Sequence, residues 1–202
     1  AHVDKTSVIQ PETILDFIDG TTQRKDKPEE RVRQEILKSL VREYGYEKNQ
    51  IKVEFSIKFG SAHKAVDIAI WQPGQAQTQE NIYIIVECKD PKTKSKGKKD
   101  GVEQMHSYAS ACMNSTYSMW TNGDELLTYR YVVDDKGKRT FEMVPDIPHA
   151  GGETPDDAPR FDQLRPAASD SLLYSFRRCH NYIAGNQGIQ KSDAFLELLK
   201  II

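Results

Sequence analysis

The feature that most restricts the fold is a short stretch that would be apolar on both faces of a β-strand. Residues 82–86 read Ile-Tyr-Ile-Ile-Val, within a strand predicted from about Asn81 to Cys88. A strand with one face in water alternates apolar and polar residues, whereas a strand covered on both faces is continuously apolar. The sequence therefore predicts a central strand of a sheet that is covered by helices on each side.

The segments before this strand change from a helical period to a strand period. Apolar residues recur at helical spacing over residues 28–45. Over residues 51–59 they alternate with polar residues, which predicts a half-buried strand. A second strand is predicted at 65–71, and the short polar loop after it predicts an antiparallel hairpin with strand 81–88.

The order of the later elements completes the prediction of the fold class. A helix is predicted from near Asp100 through Cys112, followed by strands at 117–121, 125–131 and 140–144. This order indicates an α/β fold, of the α+β kind with a mixed sheet, in three layers with the sheet in the centre.

The segment before the first long helix carries two further predictions. Residues 11–20 have apolar residues at helical spacing and end in glycine, which predicts a short helix. Asp26 and Glu29 have the spacing of a capping box at the start of the helix that follows.

Composition divides the chain into a domain and an appendage. Residues 1–144 are predicted to form the folded domain, and residues 145–168, rich in proline, glycine and acids, an extended surface linker. Helical periodicity returns over residues 169–202 and stops on apolar residues without a cap. We therefore expect this last segment to lead into a further C-terminal domain.

Composition and charge also exclude several classes of protein. The 202 residues contain no charged-then-apolar signal segment. They also contain no apolar run near the ~20 residues that span a bilayer. The three cysteines have neither disulfide-scaffold nor metal-site spacing, which fits a reducing cytoplasm.

The net charge of -2 means that attraction to nucleic acid would require a local basic patch. One run of lysines directly follows the central strand, and it is either a solvated loop or a phosphate contact. The lysines of this run are Lys92, Lys94, Lys96, Lys98 and Lys99.

Three charged side chains are predicted to meet on the hairpin. Glu87 and Lys89 are two residues apart on one strand and share a face, and the start of the antiparallel partner brings Asp67 beside them. Two carboxylates suit a hard cation such as Mg²⁺, and a neighbouring lysine can position or deprotonate a water or stabilise charge on a phosphate. A plain salt bridge of Lys89 with either acid explains the same spacing. For Glu30, on the inward face of the first long helix, the residue considered alone favours a plain interaction with the helix dipole.

Helix-borne Glu30, then Asp67, then Glu87-Cys88-Lys89 resemble the PD-(D/E)xK nuclease superfamily. The sequence around them, from about Pro11 to Val144, is similar to the N-terminal endonuclease domain of type I restriction enzyme R subunits. Where the first motif of the superfamily has Pro-Asp, this chain has Val66-Asp67. The segments that carry the resemblance are Lys27–Gln34, Tyr44–Tyr46, Val66–Ile68, Ile85–Lys89, Gln104 with Tyr108, and Trp120–Gly123.

The resemblance implies a restriction-endonuclease-like fold and Mg²⁺-dependent hydrolysis of DNA, with Mn²⁺ as a substitute. It implies Asp67 and Glu87 as metal ligands, Glu30 as an outer contributor and Lys89 as the catalytic lysine. The implied partners are double-stranded DNA and methyltransferase and specificity subunits or fused domains. The resemblance also implies a parent protein that is either a motor-bearing R subunit or a nuclease–methyltransferase fusion, in which ATP or S-adenosylmethionine would act through further domains.

Gln104 and Tyr108 match a Gln-x-x-x-Tyr element of some of these nucleases, and their spacing puts both on one helix face. The resemblance implies that they support the site or contact DNA, whereas the alternative is a core tyrosine and a surface glutamine. For the whole chain, the alternative to a nuclease is a non-catalytic DNA-binding or docking module on the same fold. The presence of Asp67, Glu87 and Lys89 together favours catalysis.

Overall fold

The computed structural model describes residues 12–97 and 101–152 and, in the C-terminal part, residues 176, 179, 180, 193, 194 and 196. The predicted helical segment 169–202 therefore lies mostly outside the described residues. None of the described helices has the length and apolar composition of a transmembrane segment. The elements in chain order are β1 (Thr13–Leu15), β2 (Gln23–Lys25), α1 (Pro28–Arg42), β3 (Ile51–Phe59), β4 (Ala62–Ile70), β5 (Ile84–Cys88), α2 (Val102–Ala111), β6 (Tyr117–Thr121), β7 (Leu126–Val133) and β8 (Arg139–Val144).

The main sheet is mixed and has the strand order β3-β4-β5-β6-β7-β8. β3, β4 and β5 form consecutive antiparallel pairs, as predicted for the hairpin. β5 and β6 run parallel and are joined through α2, and the remaining pairs are antiparallel. Every residue of β5 is buried, which confirms the central position predicted from its continuous apolar run.

The side chains of β5 alternate between two cores, one on each face of the sheet. Ile84 and Val86 pack in the core that α1 covers with Leu37 and Leu40. Ile85 packs in the second core with Tyr108 of α2. The sheet is thus enclosed between two helical layers, and the three-layer α/β/α architecture is confirmed.

The helix predicted over residues 11–20 is wrong for the part that the structure describes. β1 pairs antiparallel with β2, and the residues between them form a turn. The Asp19 carboxylate accepts the backbone N–H groups of Thr21 and Thr22, and Gly20 has a φ of 67°. The apolar spacing fits only one helical turn, and the competing Asx-type turn closes a hairpin instead.

The predicted capping box at the start of α1 is also absent. The N-cap residue is Lys27, which makes no side-chain capping bond. The Asp26 carboxylate instead receives the Arg31 guanidinium at 2.6 Å. Pro28 supplies the expected first turn, since its fixed φ suits a helix and it has no N–H to satisfy.

The chain after β8 remains packed against the body of the protein. Ile147 is 1% exposed and lies in the core beneath α1. The hydroxyl of Tyr44 donates to Asp146 Oδ1 at 2.6 Å, and that of Tyr46 to the Pro148 carbonyl at 2.8 Å. Residues 146–148, predicted as the start of an exposed linker, therefore contact the core.

Candidate active site

The candidate site lies where β4 and β5 stop pairing through their main chains. Their ladder ends at the pair Ile68 and Val86, one residue before Asp67 and Glu87. The Cys88 N–H donates to Asp67 Oδ2 at 2.9 Å, and the Asp67 N–H faces Glu87 Oε1 at 3.4 Å. Each carboxylate thus accepts an N–H of the opposite strand, which fixes the two acids against each other.

Lys89 completes the predicted triplet. Its Nζ lies 3.2 Å from Glu87 Oε2, and both residues are buried. Burial and the Asp67 carboxylate raise the pKa of Glu87. Burial alone would lower the pKa of Lys89, but the carboxylates of Glu87 and Asp67 outweigh burial and raise it. The structure therefore contains the salt bridge and brings Asp67 to it.

Arg33 of α1 connects the helix to the two strands. Its Nη2 lies 3.1 Å from Glu30 Oε2 and 3.6 Å from Asp67 Oδ1, and its Nη1 lies 2.9 Å from Glu54 Oε1. Its side chain is only 7% exposed. Burial opposes the charged guanidinium, but Asp67, Glu54 and Glu30 raise its pKa. One buried cation thus joins three carboxylates from three elements.

Glu30, the outer contributor implied by the resemblance, approaches the site through Arg33. Its Oε1 accepts a hydrogen bond from Gln34 Nε2 at 2.8 Å, and Arg24 Nε lies 3.8 Å away. Gln34 in turn accepts the Phe17 N–H at 2.8 Å, which ties the loop after β1 to α1. Glu30 is therefore a buried member of the ion-pair network.

Glu29 is the acid of α1 whose importance the sequence did not reveal. Burial raises its pKa, as does the neighbouring Asp67 carboxylate, whereas Lys89 and Arg33 act in the opposite direction. Glu29 therefore lies within electrostatic reach of the triplet. The available signal was its spacing of four residues from Arg33, which puts both on one face of α1.

The edge strand β3 is distorted beside Asp67. Val53 pairs with Ile68 and Phe55 with Val66, but the intervening Glu54 has a φ of 53° and leaves the ladder. Such a conformation costs about 1 kcal/mol or more for a residue with a side chain. In this conformation the Glu54 carboxylate contacts Arg24 and Arg33 at 2.8 and 2.9 Å.

In the part of the chain that the structure describes, ion pairs at the site join five carboxylates to three cations, an excess of negative charge that suits a divalent cation. Within the described residues, no group of three or more His, Cys, Asp or Glu side chains is placed to enclose a metal. The fit therefore rests on the Asp67–Glu87 pair, and Mg²⁺ commonly binds to one or two carboxylates while it keeps several waters. The carboxylates are Asp16, Glu30, Glu54, Asp67 and Glu87, and the cations are Arg24, Arg33 and Lys89.

Gln104 and Tyr108 lie on one face of α2, as their spacing predicted. Gln104 Nε2 donates to the Tyr108 hydroxyl at 2.8 Å. Tyr108 is 8% exposed, and its ring meets Phe59 edge-on at 5.9 Å between centroids. The buried Gln104 Oε1 has no hydrogen-bond partner among the described residues. Tyr108 is thus a core residue, and the Oε1 atom of Gln104 can still accept a hydrogen bond.

The predicted basic run is partly described. Lys92, Lys94 and Lys96 are exposed in the loop between β5 and α2, whereas Lys98 and Lys99 lie outside the described residues. The loop directly follows Lys89, so the exposed lysines and the triplet share one end of the sheet.

A family model described as type I restriction enzyme R protein N terminus matches residues 28–148. The matched part is more than half of the chain and contains α1, the whole main sheet, α2 and the charged triplet. Comparison with curated proteins gave no match, and neither did comparison with solved structures.

Proposed function

Because the chain belongs to the family of type I restriction enzyme R protein N termini, we propose that it is a Mg²⁺-dependent DNA endonuclease domain of a restriction system. One observation carries the proposal: Asp67, Glu87 and Lys89 meet where β4 and β5 stop pairing. The buried position of Glu87 and Lys89 supports a chemical role, because an ion pair needed only for stability gains little from burial.

Asp67 and Glu87 would hold the metal ion, and Glu30 would act from outside through Arg33. When bound, Mg²⁺ or Mn²⁺ supplies positive charge that favours ionisation of a water and neutralises the phosphate. In the net reaction the water oxygen bonds to phosphorus, the bond from phosphorus to one sugar oxygen breaks, and that oxygen gains a proton. Lys89, held by Glu87, would orient the water and stabilise charge on the attacked phosphate.

The loop after β5 would contact the DNA backbone. Lys92, Lys94 and Lys96 are exposed beside the triplet, and Lys98 and Lys99 follow in the sequence. Such contacts contribute affinity that is independent of sequence and falls with salt.

Gln104 and Tyr108 would support this surface from α2. Gln104 Oε1 has no hydrogen-bond partner among the described residues and would accept a hydrogen bond from a water at the site, because the DNA backbone offers no donor.

Sequence recognition would reside elsewhere in the restriction system. We propose methyltransferase and specificity subunits or fused domains as partners, with ATP or S-adenosylmethionine bound by further domains. Residues 1–144 would form the nuclease domain, and the segment 169–202 would lead towards those domains through the linker 145–168. The substrate would be double-stranded DNA in the cytoplasm.

The test is nicking of supercoiled plasmid by the 202-residue chain with Mg²⁺ or Mn²⁺. Asp67→Asn, Glu87→Gln and Lys89→Met are each expected to lower the nicking rate by about a hundredfold or more, the usual effect of removing an electrostatic catalytic group. The matched controls Glu80→Gln and Lys136→Met change exposed residues of the same types and should leave the rate unchanged.

The outcomes separate catalysis from binding alone. If the wild type fails to nick with either ion, while duplex binding is equal in the wild type and the three variants, the domain is a non-catalytic DNA-binding module. If nicking persists in all three variants, the triplet is only a structural ion pair. Far-UV circular dichroism of each variant shows whether the fold is retained.

A further inference from the structure

Asn122 lies in the turn between β6 and β7 and is 4% exposed. Its Oδ1 accepts the backbone N–H groups of Asp124 at 3.0 Å and Glu125 at 2.6 Å. The Thr121 hydroxyl accepts the Gly123 N–H at 3.0 Å and donates to the Glu125 carbonyl at 2.7 Å. The turn therefore uses the side-chain oxygens of Thr121 and Asn122.

The amide nitrogen of Asn122 has a different destination. Asn122 Nδ2 donates to the Thr93 carbonyl at 2.8 Å and approaches the Pro91 carbonyl at 3.4 Å. Both carbonyls belong to residues 90–97, here called the lysine loop. The same side chain thus closes its own turn with its oxygen and holds a distant loop with its nitrogen.

The turn by itself does not require an asparagine. An aspartate would offer the same acceptor to the two N–H groups and is equally common in such turns. Only an amide also provides the donors that the lysine loop receives. The choice of Asn122 over aspartate is therefore explained by the loop.

The turn also fixes the residue before the loop. The Lys89 N–H donates to the Thr121 carbonyl at 2.8 Å. Lys89 and the first part of the lysine loop are thus attached to two consecutive residues of one turn. The position of the loop is in this way coupled to the position of Lys89.

The far end of the lysine loop is attached to the start of α2. The Val102 N–H donates to the Ser95 carbonyl at 3.0 Å and the Gly101 N–H to the Gly97 carbonyl at 3.1 Å. A Cβ on Gly101 would lie 2.3 Å from the Gly97 carbonyl oxygen, so glycine is required for this close approach. The exposed Lys94 lies between the two attachments, and the exposed Lys92 and Lys96 each lie within one of them.

We propose that Asn122 is a positioning residue that holds the lysine loop, and with it Lys92 and Lys94, beside Lys89 to receive the phosphates of DNA. This inference rests on the proposed function. Lys92 and Lys94 flank Thr93, whose carbonyl Asn122 holds, so the backbone that carries both lysines is fixed at its centre. A prepositioned loop loses less conformational entropy when DNA binds.

Two variants test the contacts of Asn122 Nδ2 with the Thr93 and Pro91 carbonyls, here called the clamp. Asn122→Asp keeps the acceptor for the turn but places a carboxylate oxygen against two carbonyls. Asn122→Ala removes the clamp without adding charge, so an effect shared by both variants does not come from charge. Asn81→Asp is the matched control, because Asn81 Nδ2 also donates to a loop carbonyl, that of Ala76, at 3.1 Å.

The first readout is tryptic cleavage after Lys92 and Lys94, measured relative to cleavage after Lys136 in the β7–β8 turn. Global unfolding would accelerate cleavage at all three lysines. Loss of the clamp would accelerate cleavage only after Lys92 and Lys94, and it would therefore raise the ratio. Both Asn122 variants should raise this ratio by about tenfold, the factor that corresponds to one lost hydrogen bond of ordinary strength. Asn81→Asp should leave it unchanged.

The second readout is the Kd for a short duplex, measured without divalent ions over a range of salt concentrations. Both Asn122 variants should bind roughly fivefold more weakly at low salt, and the salt dependence should be shallower because fewer phosphate contacts form. If the cleavage ratio stays within about twofold of the wild type, the clamp does not exist. If the ratio rises but binding and salt dependence stay unchanged, the positioning role is refuted.

Neither readout requires DNA cleavage. A wild-type chain that fails to nick plasmid would refute the proposed catalysis while the proteolysis result still decides the clamp. Conversely, nicking could depend on the charged triplet while the Asn122 variants behave like the wild type in both readouts. That result would leave the nuclease proposal intact and refute the positioning role of Asn122.

Discussion

Replacing Arg33 with methionine should reveal how strongly the site depends on a single buried cation. Methionine keeps most of the length of the side chain but leaves Glu30, Glu54 and Asp67 without the charge that they share. Breaking a buried ion pair from one side costs about 3–5 kcal/mol. The Glu54 side chain is 53% exposed, so its contact adds little. We therefore expect the free energy of unfolding to fall by about 3 kcal/mol.

The measurement is urea unfolding at neutral pH with a chelator present, so that no divalent cation replaces the lost charge. Arg31→Met is the control on the same helix, because the Arg31 side chain is 68% exposed and pairs only with Asp26 among the described residues. It should lower the free energy of unfolding by less than about 1 kcal/mol. The loss of free energy of unfolding in Arg33→Lys should lie between the losses in these two variants. Lysine keeps the positive charge, but its ammonium lacks the forked guanidinium that contacts three carboxylates.

A free energy of unfolding for Arg33→Met within about 0.5 kcal/mol of that for Arg31→Met would show that the site does not depend on the Arg33 charge. Such equality would mean that the carboxylates at the site are well solvated. In that case the excess negative charge would give no reason for a divalent cation to bind.

Three further predictions, made with four substitutions, test other parts of the structure. Burial lowers the pKa of His106 to about 4, so the unfolded chain binds the proton first, near pH 6.5. Stability should therefore fall as pH drops from about 6.5 towards 4, by about 1–2 kcal/mol after allowance for solvent screening. Thermal unfolding across this range should show a flatter profile in His106→Gln, and an unchanged profile would contradict the assignment. Glu29→Gln should leave stability unchanged or raise it by a few tenths of a kcal/mol, because it removes a carboxylate from acidic surroundings. Glu30→Gln should lower the free energy of unfolding by about 2 kcal/mol, because it weakens the contact with Arg33. If both variants change the free energy equally in urea unfolding, the two acids do not differ in their contribution to stability. Ile147→Ala should cost about 2–4 kcal/mol if this residue belongs to the core, and a loss below about 1 kcal/mol would place it in a loosely attached linker.

The main sheet could be predicted because its residues follow a period that burial imposes. The alternation over Ile51–Phe59 gave the bounds of β3, and the run around Ile85 placed β5 in the centre. The pairing of Asp67 with Glu87 and Lys89 followed from the hairpin, since an antiparallel register fixes which residues are neighbours. Long, regular patterns of this kind leave few alternatives.

The N-terminal segment could not be predicted because its pattern is too short to decide. The spacing of Ile14, Leu15, Phe17 and Ile18 fits one helical turn and also fits a strand followed by a packed turn. The decisive interactions are the Asp19 side-chain bonds and the contact of Phe17 with Gln34, which comes from another element. Tertiary contact therefore overrode local spacing.

The sequence also could not predict the roles of Glu29, Arg33 and Asn122. Each depends on a contact between elements distant in the chain, such as Arg33 with Glu54 or Asn122 with Thr93. Local rules instead assigned Glu29 to a capping box, and residue 122 follows the strand predicted at 117–121. The pattern therefore carries no signal for the bond from the Asn122 nitrogen to Thr93.

The proposed function requires that Asp67 and Glu87 form a site for a divalent cation. The most direct measurement is an anomalous difference map from crystals of the chain soaked in Mn²⁺, collected for the wild type and for Asp67→Asn. We expect a peak in contact with the carboxylates of Asp67 and Glu87 in the wild type and no such peak in the variant. A wild-type map with no peak between these two carboxylates, or a peak that survives in the variant, would contradict it.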